Sequence, residues 1–86
     1  MVKYKHWTRI IHEAMVDECE KRREIYLTKE QARIIVQTTT GYSFPVGTTT
    51  EDIYKKLEDF GIITRLKPAR LEQEIIIPLK QDKKKR

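Results

Sequence analysis

Residues 48–65 of this chain, TTTEDIYKKLEDFGIITR, limit what it can fold into more than any other stretch. Ile53, Leu57 and Phe60 recur at helical spacing, so they form one apolar face of a short helix, which Tyr54 widens. A threonine hydroxyl at a helix start accepts a bond from the first free backbone N–H groups, and an acid three residues on reaches back. Thr48 and Glu51 form such a pair, and the helix is expected to start at Thr48 or Thr49. Gly61 stops it. The β-branched residues that follow predict a strand over 62–66, then a turn over 67–71 with Lys67 and Arg70 flanking its tip. An antiparallel partner follows over 72–79, in which Pro78 ends the usable hydrogen bonding.

Upstream, residues 1–5 read as a short basic arm. Trp7, Ile10, Ile11, Ala14, Met15 and Cys19 then follow a helical stripe, predicting a helix from His6 to about Arg23. Ile25, Tyr26 and Leu27 are too few for a helix and read as a brief extended segment. Thr28 begins a second helix, with Gln31 placed to complete a capping box, and Ala32, Ile35 and Val36 give its buried face. That helix fades within Thr38, Thr39 and Thr40, where Gly41 suits a left-handed cap. Residues 42–47 form a connection, since Pro45 cannot sit inside a helix; Phe44 and Val46 are expected to tuck beneath it into the core. The element order is α-β-α-α-β-β, an α+β domain over residues 6–79 with no internal repeat.

Eighty-six residues supply one core. The formal charge of +5 is unevenly placed: residues 1–79 carry 13 Lys and Arg against 12 Asp and Glu, whereas residues 80–86 carry five basic groups and one acid. The fold is thus near neutral and the excess lies in a basic tail, expected to be disordered, so the pI of 9.4 overstates the case for a polyanionic partner. The single cysteine, Cys19, excludes an intramolecular disulfide and any multi-cysteine zinc site. His6 and His12 have no acid–base partner in a recognisable pattern, and Cys19, on the apolar stripe, reads as a small buried residue. No glycine-rich phosphate loop, paired-carboxylate motif or nucleophile elbow is present, which argues against an enzyme and against a cofactor. Convergent polar groups marking a small-molecule site are also missing. With no membrane-span pattern and no signal-peptide pattern, the expected compartment is the cytoplasm. Eleven isoleucines with abundant Lys and Glu lean towards a thermophilic source.

The order of elements, and above all Tyr54-Lys55-Lys56-Leu57-Glu58-Asp59-Phe60-Gly61-Ile62-Ile63, resembles the winged helix-turn-helix superfamily of small transcriptional regulators. The likeness spans residues 6–79 and matches no named subfamily. It implies a three-helix body with a C-terminal two-stranded wing, binding double-stranded DNA. The helix at residues 28–40 would support, and the one from Thr48 would enter the major groove. Base edges would be met by Thr48, Thr49 and Asp52, followed by Lys55 and Lys56, and the wing residues Lys67 and Arg70 would lie against the backbone. Lys83, Lys84, Lys85 and Arg86 would add salt-sensitive, sequence-independent attraction.

Each of these features also has a plainer reading. The lysines and threonines equally describe a solvated helix face, Asp52 equally serves the helix dipole, and the tail equally serves solubility. Trp7 reads as an anchor in the core or at a dimer interface. Since one helix and one wing cover only a half-site, a homodimer is expected, formed through the first helix with Val16 and Tyr4 extending its stripe. Two other functions fit the same residues: a winged-helix protein-interaction module, and an accessory protein binding DNA without sequence preference through its tail.

Overall fold

A computed structural model describes residues 3–68 and 71–80, with side chains from Trp7 onward except Leu71. Three α-helices and a two-stranded antiparallel sheet make a small α+β domain among the described residues. The helices are α1 (Lys3–Arg22), α2 (Lys29–Thr40) and α3 (Thr50–Asp59); the strands are β1 (Leu27–Thr28) and β2 (Ile75–Ile76). The first helix starts at Lys3, inside the segment expected to be an arm.

The core takes one buried stripe from each helix. Ile11, Met15 and Cys19 line α1, Ala32 and Val36 line α2, and Ile53 and Leu57 line α3. Leu27, Phe60, Ile62, Leu66 and Ile76 close it from the connecting segments, with Trp7, Ile35, Phe44, Tyr54 and Ile63 packed around. Both ends of α2 form as its sequence dictates. The Thr28 hydroxyl accepts from the Gln31 N–H at 3.3 Å, the Gln31 side chain accepts from the Thr28 N–H at 3.0 Å, and Gly41 caps the other end at φ 83°.

Three further expectations are corrected. The cap of α3 is Thr49 with Asp52, one residue later than Thr48 with Glu51. Thr48 is used elsewhere: its N–H (3.2 Å) and its hydroxyl (2.5 Å) both donate to the Pro45 carbonyl, closing a turn through Gly47 at φ 85°. Val46, at the head of that turn, points fully into solvent and does not tuck into the core.

The third correction concerns the wing. Residues 62–66 do not form a strand; Ile63–Arg65 is a 3-10 turn. The reason lies in burial. Ile62 and Leu66 are buried while Thr64 between them is exposed, whereas in a strand all three would line one face. Pairing begins only afterwards, at an isolated Leu66–Pro78 bridge flanked by Lys67 N–H to Ile77 O (2.9 Å) and Leu79 N–H to Arg65 O (2.8 Å). The partner expected over 72–79 is shorter and serves two neighbours. Leu71–Gln73 is another 3-10 turn, and β2 pairs with β1 in the register Leu27–Ile76 and Thr28–Ile75.

Two contacts lock this C-terminal segment and α3 onto α1. His12 is buried, and its Nε2–H donates to the Leu79 carbonyl at 2.7 Å, while its Nδ1 is buried with no hydrogen-bond partner. Gly61, at φ 80°, carries the chain off α3 just where the Thr8 hydroxyl donates to the Phe60 carbonyl. A Cβ at Gly61 would lie 3.0 Å from Thr8 Oγ1.

Gly61→Ala therefore combines a disfavoured φ with a steric conflict, and urea denaturation should show a loss of more than about 1 kcal/mol. Burial holds the His12 imidazole below its ordinary value of 6.5, aided by Arg65 and opposed by the Leu79 bond and Glu13. The unfolded chain thus takes up this proton first as the pH falls. The His12 contribution is complete above 6.5 and is lost as the pH drops towards the folded-state value. Melting curves from about pH 7 to about pH 5 should show a fall in Tm that His12→Gln largely removes.

Candidate nucleic-acid interface

The surface built around α3 follows from how its ends are fixed. Pro45 and Gly47 set the turn that delivers the chain to α3, and Gly61 releases it towards the 3-10 turn at Ile63–Arg65. With Ile53 and Leu57 turned inward, the side chains left outward are Thr49, Glu51, Asp52, Lys55, Glu58 and Asp59. Tyr54 reaches sideways, and its hydroxyl donates to the Lys67 carbonyl at 2.9 Å, which ties the chain beside the Leu66–Pro78 bridge to α3.

The residues singled out in the sequence occupy unequal positions. Thr48 is buried and bonded to Pro45. Thr49 and Asp52 are exposed but bonded to each other's backbone N–H groups, at 3.1 Å and 3.2 Å, so the start of α3 is already capped from within. Lys55 stands clear of the body. Lys56 is held to it, with Nζ 3.5 Å from Asp59 Oδ2 and 4.4 Å from the centre of the Tyr42 ring. Lys67 is exposed beside α3. Arg70, Lys83, Lys84, Lys85 and Arg86 lie outside the described residues, as does the side chain of Tyr4.

Charge on the outer face of α3 runs against a polyanion. Glu51, Asp52, Glu58 and Asp59 outnumber Lys55 and Lys56. The basic groups sit at its flanks instead. On one side Lys29 and Arg33 of α2, with Glu30, face the loop from Phe44 to Thr48 across a cleft of about 340 Å³. Arg33 donates to Glu30 and to Gln37 Oε1 (3.4 Å), and its guanidinium holds the Glu30 carboxyl below the usual range. Gln37 Oε1 also accepts from the Phe44 N–H at 3.1 Å, tying α2 to the loop. Lys67 stands on the other flank. The sequence reading passed over Lys29 and Arg33, although their spacing of four on a helix opened by Thr28 was a legible sign that they share a face.

Among the described residues no group of three or more His, Cys, Asp or Glu is placed to hold a metal, and no helix is long and apolar enough to cross a membrane. Burial pushes the Cys19 thiol up, away from the reactive thiolate. Comparison with protein-family models, curated proteins and solved structures returns no match.

The two adjacent lysines should separate in a stability assay. Lys56→Met should cost about 0.5–1 kcal/mol through the lost ring and carboxylate contacts. Lys55→Met should stay within about 0.5 kcal/mol of the parent in the same urea titration.

Proposed function

We propose that the domain is a winged helix-turn-helix module that binds double-stranded DNA inside the cell and acts in transcription regulation. One observation carries the reading: α2 and α3 follow one another through the turn at Pro45 and Gly47, and Tyr54 of α3 bonds the segment carrying Lys67, which pairs at the Leu66–Pro78 bridge. In this reading α3 lies towards the major groove. Phosphates are met on its two flanks, by Lys29 and Arg33 at the start of α2 and by Lys67 and Arg70 at the wing. Between them Lys55 and Thr49 are the exposed donors nearest the bases, and Asp52 is an acceptor suited to cytosine N4. Thr48 contributes by shaping the turn, and Lys56 by holding α3 to Tyr42. The tail cations from Lys83 to Arg86 add to affinity without adding to specificity.

A second reading has a specific observation behind it. The acidic outer face of α3, with its start capped from within, suits a basic protein surface better than a phosphate backbone. On that reading the scaffold is an interaction module.

Fluorescence anisotropy on random and selected duplexes across a salt series separates the readings. The log–log salt slope should be about 0.9 per phosphate neutralised and should fall in Lys29→Ala, Arg33→Ala and Lys67→Ala. Lys55→Ala should weaken the selected site while sparing random DNA. Neutralising Lys83 to Arg86 with glutamines should lower affinity for both duplexes alike. If that tail variant loses all binding, the chain is a non-specific DNA binder. A chain that binds no duplex at low salt is the interaction module.

A further inference from the structure

The C-terminal half of α1 carries a second surface, which shares Lys67 with the DNA reading. After Arg22 the chain leaves the helix through Arg23 in the left-handed region at φ 59°, with the Glu24 N–H donating to the Cys19 carbonyl at 2.9 Å. This swings residues 23–25 away from the C-terminal segment, and the gap between them is a groove of about 540 Å³. Val16 and Cys19 lie along α1 beneath it, and Ile25, Ile77, Pro78 and Leu79 supply the apolar walls. Two of the large apolar side chains that the fold leaves in water meet here: Ile25 is 70% exposed and Leu79 39% exposed.

The rim of this groove is divided by charge. Glu20 and Glu24 stand with Arg23 on the helix side, and Lys67 and Lys80 on the strand side. Lys80 Nζ and Glu20 Oε2 approach to 3.9 Å across it, both largely in solvent. The walls are fixed from behind, by the His12 bond to the Leu79 carbonyl and by the Lys67 N–H bond to Ile77. A preformed hole, an exposed isoleucine at its edge, and acids on one rim with bases on the other make this patch complementary to itself. In a two-fold interface each copy presents the same patch to the other.

We propose that this groove is where a second copy of the same chain docks. Ile25 of each copy enters the groove of the other, and the Glu20 and Glu24 rim of each lies against the Lys67 and Lys80 rim of its partner. Residues 81–86, Gln-Asp-Lys-Lys-Lys-Arg, have no apolar side chain to place there. Nor does the pairing depend on DNA, so it can be tested without nucleic acid.

Sedimentation velocity of the full chain over a concentration series should show a monomer–dimer equilibrium. Ile25→Glu should weaken it by at least about tenfold. Ile25→Ser, a gentler change, should weaken it less, and an unchanged circular dichroism spectrum and Tm should show that both variants remain folded. Reversing one rim (Glu20→Lys with Glu24→Lys) or the other (Lys67→Glu with Lys80→Glu) should leave each protein alone largely monomeric. An equimolar mixture of the two should reassociate as a heterodimer. A parent chain that stays monomeric throughout, or a dimer indifferent to both Ile25 substitutions, overturns the proposal. Failure of the two rim-reversed proteins to associate overturns it as well.

Discussion

The extended segment at residues 75–79 is held by three parts of the chain that are far apart in sequence. β1 pairs with its start, the stretch around Leu66 pairs with its end, and His12 of α1 donates to its last carbonyl. In so small a domain each helix offers the core only two or three fully buried side chains, so the helices alone enclose little apolar volume. Ile76, with 1% of its surface exposed, fills the space that they leave, and Leu27 and Leu66 are covered through their pairing with this segment. The cost is a buried imidazole whose second nitrogen has no partner, which places a titratable group inside the closure of the fold.

Local signals were legible where a single side chain decides a backbone bond. Thr28, Gln31 and Gly41 fixed both ends of α2, and the apolar stripes predicted most of the residues that are buried. The cap of α3 was harder, because Thr48, Thr49 and Thr50 are identical in chemistry. What selects Thr49 is the turn that Pro45 and Gly47 impose on Thr48, a three-dimensional fact. The β-branched run at Ile62 and Ile63 pointed to a strand by composition, and the spacing of Ile62 and Leu66 fits a strand and a helical turn alike, so only the exposure of Thr64 decides between them. Nothing local identifies β1 as the partner of β2, since that pairing joins residues nearly fifty positions apart. His12, read as a histidine without a role, shows the same limit: its partner is a carbonyl 67 residues away.

For the candidate interface, the sequence showed which groups are charged but not where the charge is engaged. Lys55 and Lys56 are neighbours in the chain, yet one is free and the other is folded onto Tyr42 and Asp59. Thr49 and Asp52 are both on the surface, but each is occupied in stopping the other's backbone N–H from facing solvent. An acidic α3 face therefore need not repel a duplex outright. Solvent ions screen its carboxylates over about 8–10 Å, and the flanking cations on α2 and at Lys67 to the same degree, so on the DNA reading the distance of each group from a phosphate decides its weight. The balance is between a helix that discourages close approach and two basic shoulders that favour it.

Lys67 lies where the two surfaces meet. Its carbonyl accepts from Tyr54 of α3, its N–H donates to Ile77, and its side chain stands at the rim of the apolar groove. Anything that docks in that groove would meet a segment linked to α3 through Lys67, by one backbone bond to Ile77 and one bond from the Tyr54 side chain. The distance and tilt between the α3 helices of a pair would thus be set by packing at Ile25 and Leu79, not by a flexible linker. Half-site spacing on DNA is a geometric consequence of that kind of rigidity. The same C-terminal segment completes the core, pairs with the chain at Leu66 and lines the groove.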